Sequence, residues 1–333
     1  MRILVLGGTG FVGRHFVTAA ITGGHHVTLF NRGHSQPGLF PGVPVILGDR
    51  GGDLGALRAG RFDAVVDTCG YFPANLDHVA AQLKESAGQY LFISSCSVYD
   101  MQEQPHDAVA ENGQLVGLDI DAGRDDPATY GARKYLCEQV VRAAFPTRHL
   151  IVRPGLIVGP HDASYRFPYW ADRIAEGGTV LAPGDPQAPL QFIDARDLAA
   201  WMLHGIEHRL CGTFNAVSPY GALTLGAFLQ RVTQEINAQA TLRWLPEDYL
   251  RQHQVDCWTT LPLWLHREWQ AFQKIDSSLA IGHGLRFRPL ETTVRDTHRW
   301  SRPLYNADFM ARVLSRERET ALLDGYRSGA AAA

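Results

Sequence analysis

The chain has 333 residues, 45% of them hydrophobic, and 31 basic against 34 acidic side chains give a formal charge of −3. That length can bury a substantial core in one large or two intimate domains. A slightly acidic balance without a long basic run argues against a nucleic-acid surface, and no run of 18 apolar residues is present to cross a membrane.

The first element is Arg2-Ile-Leu-Val-Leu6, a short apolar run that predicts a buried strand. With a strand directly behind Met1-Arg2, no signal peptide is expected. Five cysteines (Cys69, Cys96, Cys137, Cys211, Cys257) lack C-x-x-C spacing and cannot all pair, which points to reduced thiols and a cytoplasmic setting. Behind the strand comes Gly7-Gly-Thr-Gly10-Phe-Val-Gly13, and Phe11 to Ala20 reads as a helix. Strand, glycine turn and helix in that order can seat the pyrophosphate of a dinucleotide. Gly7 permits the sharp turn, Gly10 lets the backbone approach the phosphates, and Gly13 lets the helix pack close to the strand. The helix start then offers unpaired N–H groups and the positive end of its dipole.

Further strands are predicted at His26–Phe30, Pro44–Leu47, Asp63–Asp67, Gln89–Ile93 and Arg148–Val152, with helices over Ala74–Glu85 and Ala128–Ala144. Short apolar runs closed by polar residues suit strands buried on both faces. Their alternation with helices predicts an α/β fold, a Rossmann-type doubly wound parallel sheet that binds ligands beyond the strands' carboxyl ends. Met101 to Asp126, acidic and glycine-bearing, reads as a surface excursion. Beyond Arg153 the alternation breaks into a proline- and aromatic-rich region, assigned to a smaller, mixed C-terminal substrate-binding domain. The expected division is 1–153 for the dinucleotide domain, with segments near 190–218 returning to it, and 154–329 for the substrate domain. Gln191–Asp194 and Gly212–Asn215 are the pieces expected to rejoin the sheet.

Tyr130-Gly-Ala-Arg-Lys134 lies on the second of these helices, where residues four apart share a face. A phenol is a poor acid or base at neutral pH, and a neighbouring ammonium stabilises its phenolate. Only three lysines occur (Lys84, Lys134, Lys274), so a Tyr-x-x-x-Lys by chance is expected about 0.1 times among 11 tyrosines. Upstream, Ser94-Ser95-Cys96-Ser97-Val98-Tyr99 places hydroxyls just after the fifth strand, where a substrate carbonyl can be held.

With these three signals in order, the chain resembles the extended and atypical short-chain dehydrogenase/reductases, the NAD(P)-dependent epimerase/dehydratase-like family. The resemblance extends through Arg153-Pro-Gly-Leu-Ile-Val-Gly-Pro160, Phe192-Ile-Asp-Ala-Arg-Asp-Leu198 and Gly284-Leu-Arg-Phe-Arg-Pro289. It implies a catalytic set of Ser95, Tyr130 and Lys134, with the tyrosine as acid/base, the lysine as its tuner and ribose anchor, and the serine orienting substrate. It implies a cofactor held by Gly7, Thr9, Gly10, Phe11, Val12 and Gly13 of the first turn, then Asn31, Arg32, Asp49, Arg50, Cys69, Ser94 and Pro154 at later strand ends, together with Tyr130 and Lys134.

Departures from the family pattern narrow the expectation. NAD-specific relatives carry an acidic residue where Asn31 stands, and Arg32 beside it favours NADP(H), with NAD(H) the other choice. Asp49 matches the adenine-contacting residue of relatives. Cys96 and Ser97 replace the acidic pair of sugar-nucleotide dehydratases and cannot perform that elimination. Leu156 and Leu190 stand where nucleotide-sugar epimerases place an asparagine and a pyrophosphate-binding arginine, unless Arg166, Arg173 or Arg209 substitutes. Aromatic residues at Phe167–Trp170, Cys257–Trp264 and Trp269 supply either a partly apolar pocket or ordinary core.

The expected function is therefore hydride transfer on a hydroxyl or keto carbon of a small metabolite other than an ordinary nucleotide sugar, by an NADP(H)-dependent oxidoreductase or epimerase. The alternatives are a nucleotide-sugar 4-epimerase with tightly held NAD, and a non-catalytic NAD(P)-binding regulatory or RNA-binding protein, because atypical relatives with a similar Asn-Arg-Gly turn bind RNA or sense redox state. A small-molecule substrate, no nucleic acid, no membrane, no metal, and a homodimer or monomer complete the expectation.

Overall fold

The computed structural model describes residues 1–58, 60–101, 107–118, 120–302 and 312–330, with residues 328–330 described by backbone alone. In chain order the strands are β1 (Arg2–Leu6), β2 (His26–Asn31), β3 (Val45–Leu47), β4 (Ala64–Asp67), β5 (Tyr90–Ile93), β6 (His149–Pro154), β7 (Ile157–Val158), β8 (Thr179–Pro183), β9 (Ile193–Asp194), β10 (Gly212–Ala216) and β11 (Thr241–Leu245). The helices are α1 (Phe11–Thr22), α2 (Pro73–Leu83), α3 (Tyr130–Ala144), α4 (Pro168–Ala175), α5 (Ala195–Glu207), α6 (Leu225–Ile236), α7 (Glu247–Gln252), α8 (Ser278–Gly282), α9 (Leu290–Ser301) and α10 (Arg316–Ala330). Among the described residues no helix is long and apolar enough to cross a membrane.

Two compact units form. The first comprises residues 1–156, 195–218 and 275–286. Its seven strands run in the order β3-β2-β1-β4-β5-β6-β10, every neighbouring pair parallel. Strand order reverses direction of growth at β1 and β4, the switch point beyond which a doubly wound sheet opens its ligand crevice. Period-two alternation explains the two covered faces. Leu4, Leu6, Val65, Tyr90, Phe92 and Ile151 pack under α2 and α3 with Leu76, Val79, Leu83, Cys137, Val141 and Phe145. Between them Val5 and Leu29 point the other way, against Gly8 and Val17, and α1 packs beside α5. Buried on both faces, the central strands need almost continuous apolar sequence, as they have.

The second unit comprises residues 157–194, 219–274 and 287–333. It holds two short parallel ladders, β8 with β11 and β7 with β9. Phe167, Phe192 and Phe228 meet with ring centroids 5.3–5.9 Å apart. Trp170 is fully buried, its indole N–H donating to the Pro262 carbonyl at 2.7 Å. Arg173 of α4 pairs with Glu319 of α10 at 2.8 Å, both buried.

Three expectations are corrected. Gln191–Asp194 does not rejoin the main sheet. Ile193 and Asp194 pair with β7 in a separate ladder, and only Gly212–Ala216 becomes an edge strand, beside β6. The first unit accordingly takes residues 195–218 rather than 190–218, and also residues 275–286, because Ile275 bridges Val109 and Asn215 donates to the Asp276 carbonyl. The Met101–Asp126 stretch is not simply surface. Residues 102–106 and 119 lie outside the described residues, but Val109 is buried and Leu115 bridges Tyr99. Most of the aromatic cluster proves to be core: Phe167, Trp170 and Trp264 are buried, whereas Trp269 is exposed.

Candidate active site

The carboxyl end of β1 turns at Gly7, whose φ of +85° lies in the left-handed region. A Cβ there would sit 2.7 Å from Thr68 Oγ1 and 2.9 Å from Cys69 Cβ, so the turn after β4 leaves room only for hydrogen. At Gly13 a Cβ would collide with the Gly7 carbonyl. Gly10 faces outward with nothing nearer than the Gly7 oxygen at 3.5 Å. The first intrahelical bond of α1 runs from Arg14 N to Gly10 O, leaving the amides of Phe11, Val12 and Gly13 ahead of it. The helix has neither a side-chain cap nor an acidic residue in its first turn. This cradle fits the pyrophosphate of a dinucleotide by shape, donors and dipole.

The other strand ends are less uniform. Asn31 Oδ1 accepts from Gly33 N at 2.9 Å and Arg32 is exposed. Asp49 Oδ1 accepts from Gly51 N at 2.8 Å in an exposed turn. Arg50 departs from expectation, since its guanidinium turns inward, donating to Asp67 Oδ2 and to the Cys69 carbonyl, each at 2.8 Å. Ser94 is also turned inward, donating to Glu138 Oε1 at 2.6 Å. Pro154 ends β6, buried. Burial pushes the Cys69 thiol up to about 12, which makes it inert as a nucleophile at neutral pH.

Tyr130 opens α3, and Lys134 lies one turn later with its Nζ 5.9 Å from the tyrosine ring centre. Lys134 is buried, donating to the Gly70 carbonyl at 2.9 Å and the Ile93 carbonyl at 2.8 Å, which occupies two of its three N–H groups. Its Nζ also lies 4.7 Å from the Tyr71 ring centre and 4.9 Å from that of Phe92. Removal from water pushes this ammonium down to about 8. Ser95 caps the Cys96–Val98 turn, its Oγ accepting from Ser97 N at 3.1 Å and donating to Ser97 Oγ at 3.1 Å.

What brings the serine turn to the helix is a residue that motif spacing does not single out. Gly131, directly after Tyr130, packs so closely on the Ser97 carbonyl that a Cβ would collide with it. A second support is Glu138, fully buried one turn beyond Lys134. It accepts two bonds from Arg153 at 2.8 and 2.6 Å besides the one from Ser94. Arg153 in turn donates to Tyr99 OH at 2.9 Å, and that hydroxyl donates to Asn215 Oδ1 at 2.7 Å. The network pins α3 to β5, β6 and β10, so the lysine and serine turn keep one register. Asp67, closing β4, is the third unforeseen residue. Its signal in the sequence was a lone acid ending an apolar strand. In the second unit Arg173, one candidate diphosphate anchor, is spent on Glu319 and two carbonyls. Arg166 stacks 4.6 Å from the Trp258 ring centre, and Arg209 is exposed.

A doubly wound sheet with this glycine cradle and a Tyr-x-x-x-Lys helix whose lysine is buried defines the class of dinucleotide-binding α/β proteins. Within it the chain belongs to the NAD dependent epimerase/dehydratase family, whose model matches residues 3–216. The chain is 30% identical over 220 residues to a 2-alkyl-3-oxoalkanoate reductase from Stenotrophomonas maltophilia, a match that covers 61% of this chain. It spans 64% of that reductase's length. Among solved structures, a UDP-N-acetylglucosamine 4-epimerase from Bacillus cereus superposes with a TM-score of 0.67 at 17% identity, over 93% of this chain and 99% of that one. A UDP-glucose-4-epimerase from Stenotrophomonas maltophila with bound NAD and formylated UDP-arabinopyranose gives 0.68 at 19% identity, over 91% and 98%. These structures share the fold.

Proposed function

We propose that this chain is an NADP(H)-dependent oxidoreductase or epimerase acting on a hydroxyl- or keto-bearing carbon of a small metabolite, with Tyr130 as acid/base, Lys134 as its electrostatic partner and Ser95 as the substrate-oxygen donor. The observation that carries the reading is the buried Lys134 ammonium, held by two carbonyls one helical turn from Tyr130, beside a serine turn pressed onto the same helix. A nicotinamide dinucleotide on the glycine cradle supplies the hydride acceptor or donor. The amides of Phe11, Val12 and Gly13 and the Thr9 segment hold its pyrophosphate, and the third N–H of Lys134 is available to a ribose hydroxyl. Tyr130 takes the alcohol proton as substrate is oxidised and returns it as a carbonyl is reduced. The ammonium favours the phenolate that this requires. Ser95, its O–H turned from Ser97 Oγ to the substrate oxygen, donates to that oxygen and holds it against the phenol.

The adenosine end supports NADP(H). Arg32 is exposed beside Asn31 with no carboxylate in that turn to repel a 2′-phosphate. Leucines at positions 156 and 190, with Arg173 committed to Glu319, weaken the case for a diphosphate-bearing sugar substrate. The test has two arms. Tyr130→Phe should all but abolish turnover, lowering it by orders of magnitude, while leaving NADPH binding, read by fluorescence, unchanged. Calorimetry with UDP- and dTDP-sugars should show no micromolar binding, and a single tight nucleotide sugar would return the chain to the 4-epimerase reading. Dinucleotide that survives purification would mark an epimerase, and readily lost dinucleotide a reductase.

A further inference from the structure

We propose that Arg50 and Asp67 are positioning residues, their buried ion pair buckling the turn after β4 so that one backbone segment braces the phosphate cradle on one side and the Lys134 ammonium on the other. The proposal rests on the reading of Lys134 given above. Asp67 is fully buried and Arg50 largely so, at 0% and 14% side-chain exposure. Asp67 Oδ1 accepts from Cys69 N at 3.0 Å, and Oδ2 accepts from Arg50 at 2.8 Å and from Tyr90 OH at 2.8 Å. Arg50 closes the ring by donating to the Cys69 carbonyl. Both ends of the Asp67–Cys69 turn are thus fixed by one guanidinium.

Thr68, inside the turn, and Gly70, just after it, reach the glycine cradle and Lys134 respectively. Thr68 Oγ1 donates to the Leu6 and Gly7 carbonyls at 3.0 and 3.2 Å, and it packs where a Cβ on Gly7 would lie. On the other side Gly70 gives its carbonyl to Lys134, and its Cα presses on Asp67 closely enough that a Cβ would be 3.2 Å from Oδ2. Arg50 also immediately follows Asp49, at the end of the sheet where adenosine is expected. Loosening the pair therefore moves cradle and lysine together. The charges act as well. The groups facing Lys134 are Tyr130 and Cys137 from its own helix, Asp67, Cys69 and Tyr71 from the segment after β4, and Arg50 from the segment after β3, while β5 offers the Phe92 ring and the Ile93 carbonyl, neither of them titratable. Asp67 favours the ammonium and Arg50 opposes it.

The chain has three lysines, so [13Cε]lysine labelling gives three resolvable signals and a direct titration of Lys134 by NMR. Relative to wild type, Arg50→Gln should raise the Lys134 midpoint. Asp67→Asn should lower it by on the order of one pH unit, and the charge-free Arg50→Gln/Asp67→Asn double variant should fall between Asp67→Asn and wild type. The double variant leaves no unpaired buried charge and carries the test if a single variant does not fold. NADPH affinity, read by fluorescence without any turnover, should weaken several-fold in each. Midpoints that coincide in all folded variants would overturn the proposal whatever the activity. Midpoints that move in this order in a protein without turnover would support it and count against the catalytic reading alone.

Discussion

Lys134 and Gly131 show how single side chains set the chemistry. The ordinary lysine value is 10.5, and burial brings Lys134 to about 8. Between those values the unfolded chain holds a proton that the folded chain has released, so stability should rise as pH goes from about 8 to 10.5. Below pH 8 the buried ammonium costs the fold about 3 kcal/mol, as the difference of roughly two and a half pH units requires. Urea unfolding of wild type and Lys134→Met at pH 7 and pH 10 checks the sign: the comparison should move in favour of wild type at the higher pH. Activity should run the other way, with kcat falling as pH rises through about 8 and the ammonium is lost. Tyr130→Phe should lower kcat by about 10²–10⁴-fold, the range a positioned acid/base contributes. Gly131 sets two effects in opposition. Alanine in a helix is favoured over glycine by about 1 kcal/mol, yet here its Cβ would strike the Ser97 backbone. The collision should win, at a net cost of about 1–3 kcal/mol, together with a loss of kcat as the serine turn separates from α3. A melting temperature above wild type for Gly131→Ala would show that the close approach does not exist.

At the scale of elements, α3 is held by charge as much as by apolar packing. Its buried face carries Arg133, Lys134 and Glu138 beside Ala132, Cys137 and Val141. Glu138 is matched by the bidentate Arg153 and by Ser94, so the pair is satisfied in place. Removing one partner leaves an uncompensated buried guanidinium, and Glu138→Gln should cost about 3–5 kcal/mol in chemical denaturation. Glu138→Leu/Arg153→Met should cost less than Glu138→Gln, because no buried charge remains unpaired. A double variant less stable than the single one would contradict this account of the network. The same logic governs α4 and α10 in the second unit, where Arg173 and Glu319 meet and Glu319 also accepts from Leu181 N at 2.8 Å. That ion pair spends Arg173 of α4 within the fold.

For the molecule as a whole, the exposed Arg32 turn and the net charge lead to separate measurements. Km for NADPH should lie at least tenfold below that for NADH, and Arg32→Glu should reverse the preference; a wild-type NADH preference of tenfold would reject the NADP(H) reading. A formal charge of −3 without a basic run gives no electrostatic footprint for RNA. Filter binding at 150 mM salt should retain no RNA, and retention would favour the non-catalytic binding alternative.

Much of the first unit was legible because its signals are local. Strands buried on both faces must be apolar throughout, a glycine turn must sit between strand and helix, and Tyr130 and Lys134 share a face through helical spacing alone. Hence β1, β2, α1, β5, α3 and β6 fall within a few residues of their expected limits. The failures are all matters of partnership across long sequence distances. An apolar segment such as Gln191–Asp194 carries no mark of which strand it will pair with, and β7 won it from the main sheet. An arginine written beside Asp49 can face a ligand or a carboxylate. Only folding brought Asp67, 17 residues on, close enough to take Arg50. The sequence by itself thus determined that the chain builds a glycine cradle and places a phenol one turn from an ammonium, because backbone geometry and period dictate both. Which charges surround that ammonium, and which arginines are spent within the fold, only the tertiary structure decided, because burial and pairing depend on neighbours the local sequence does not specify.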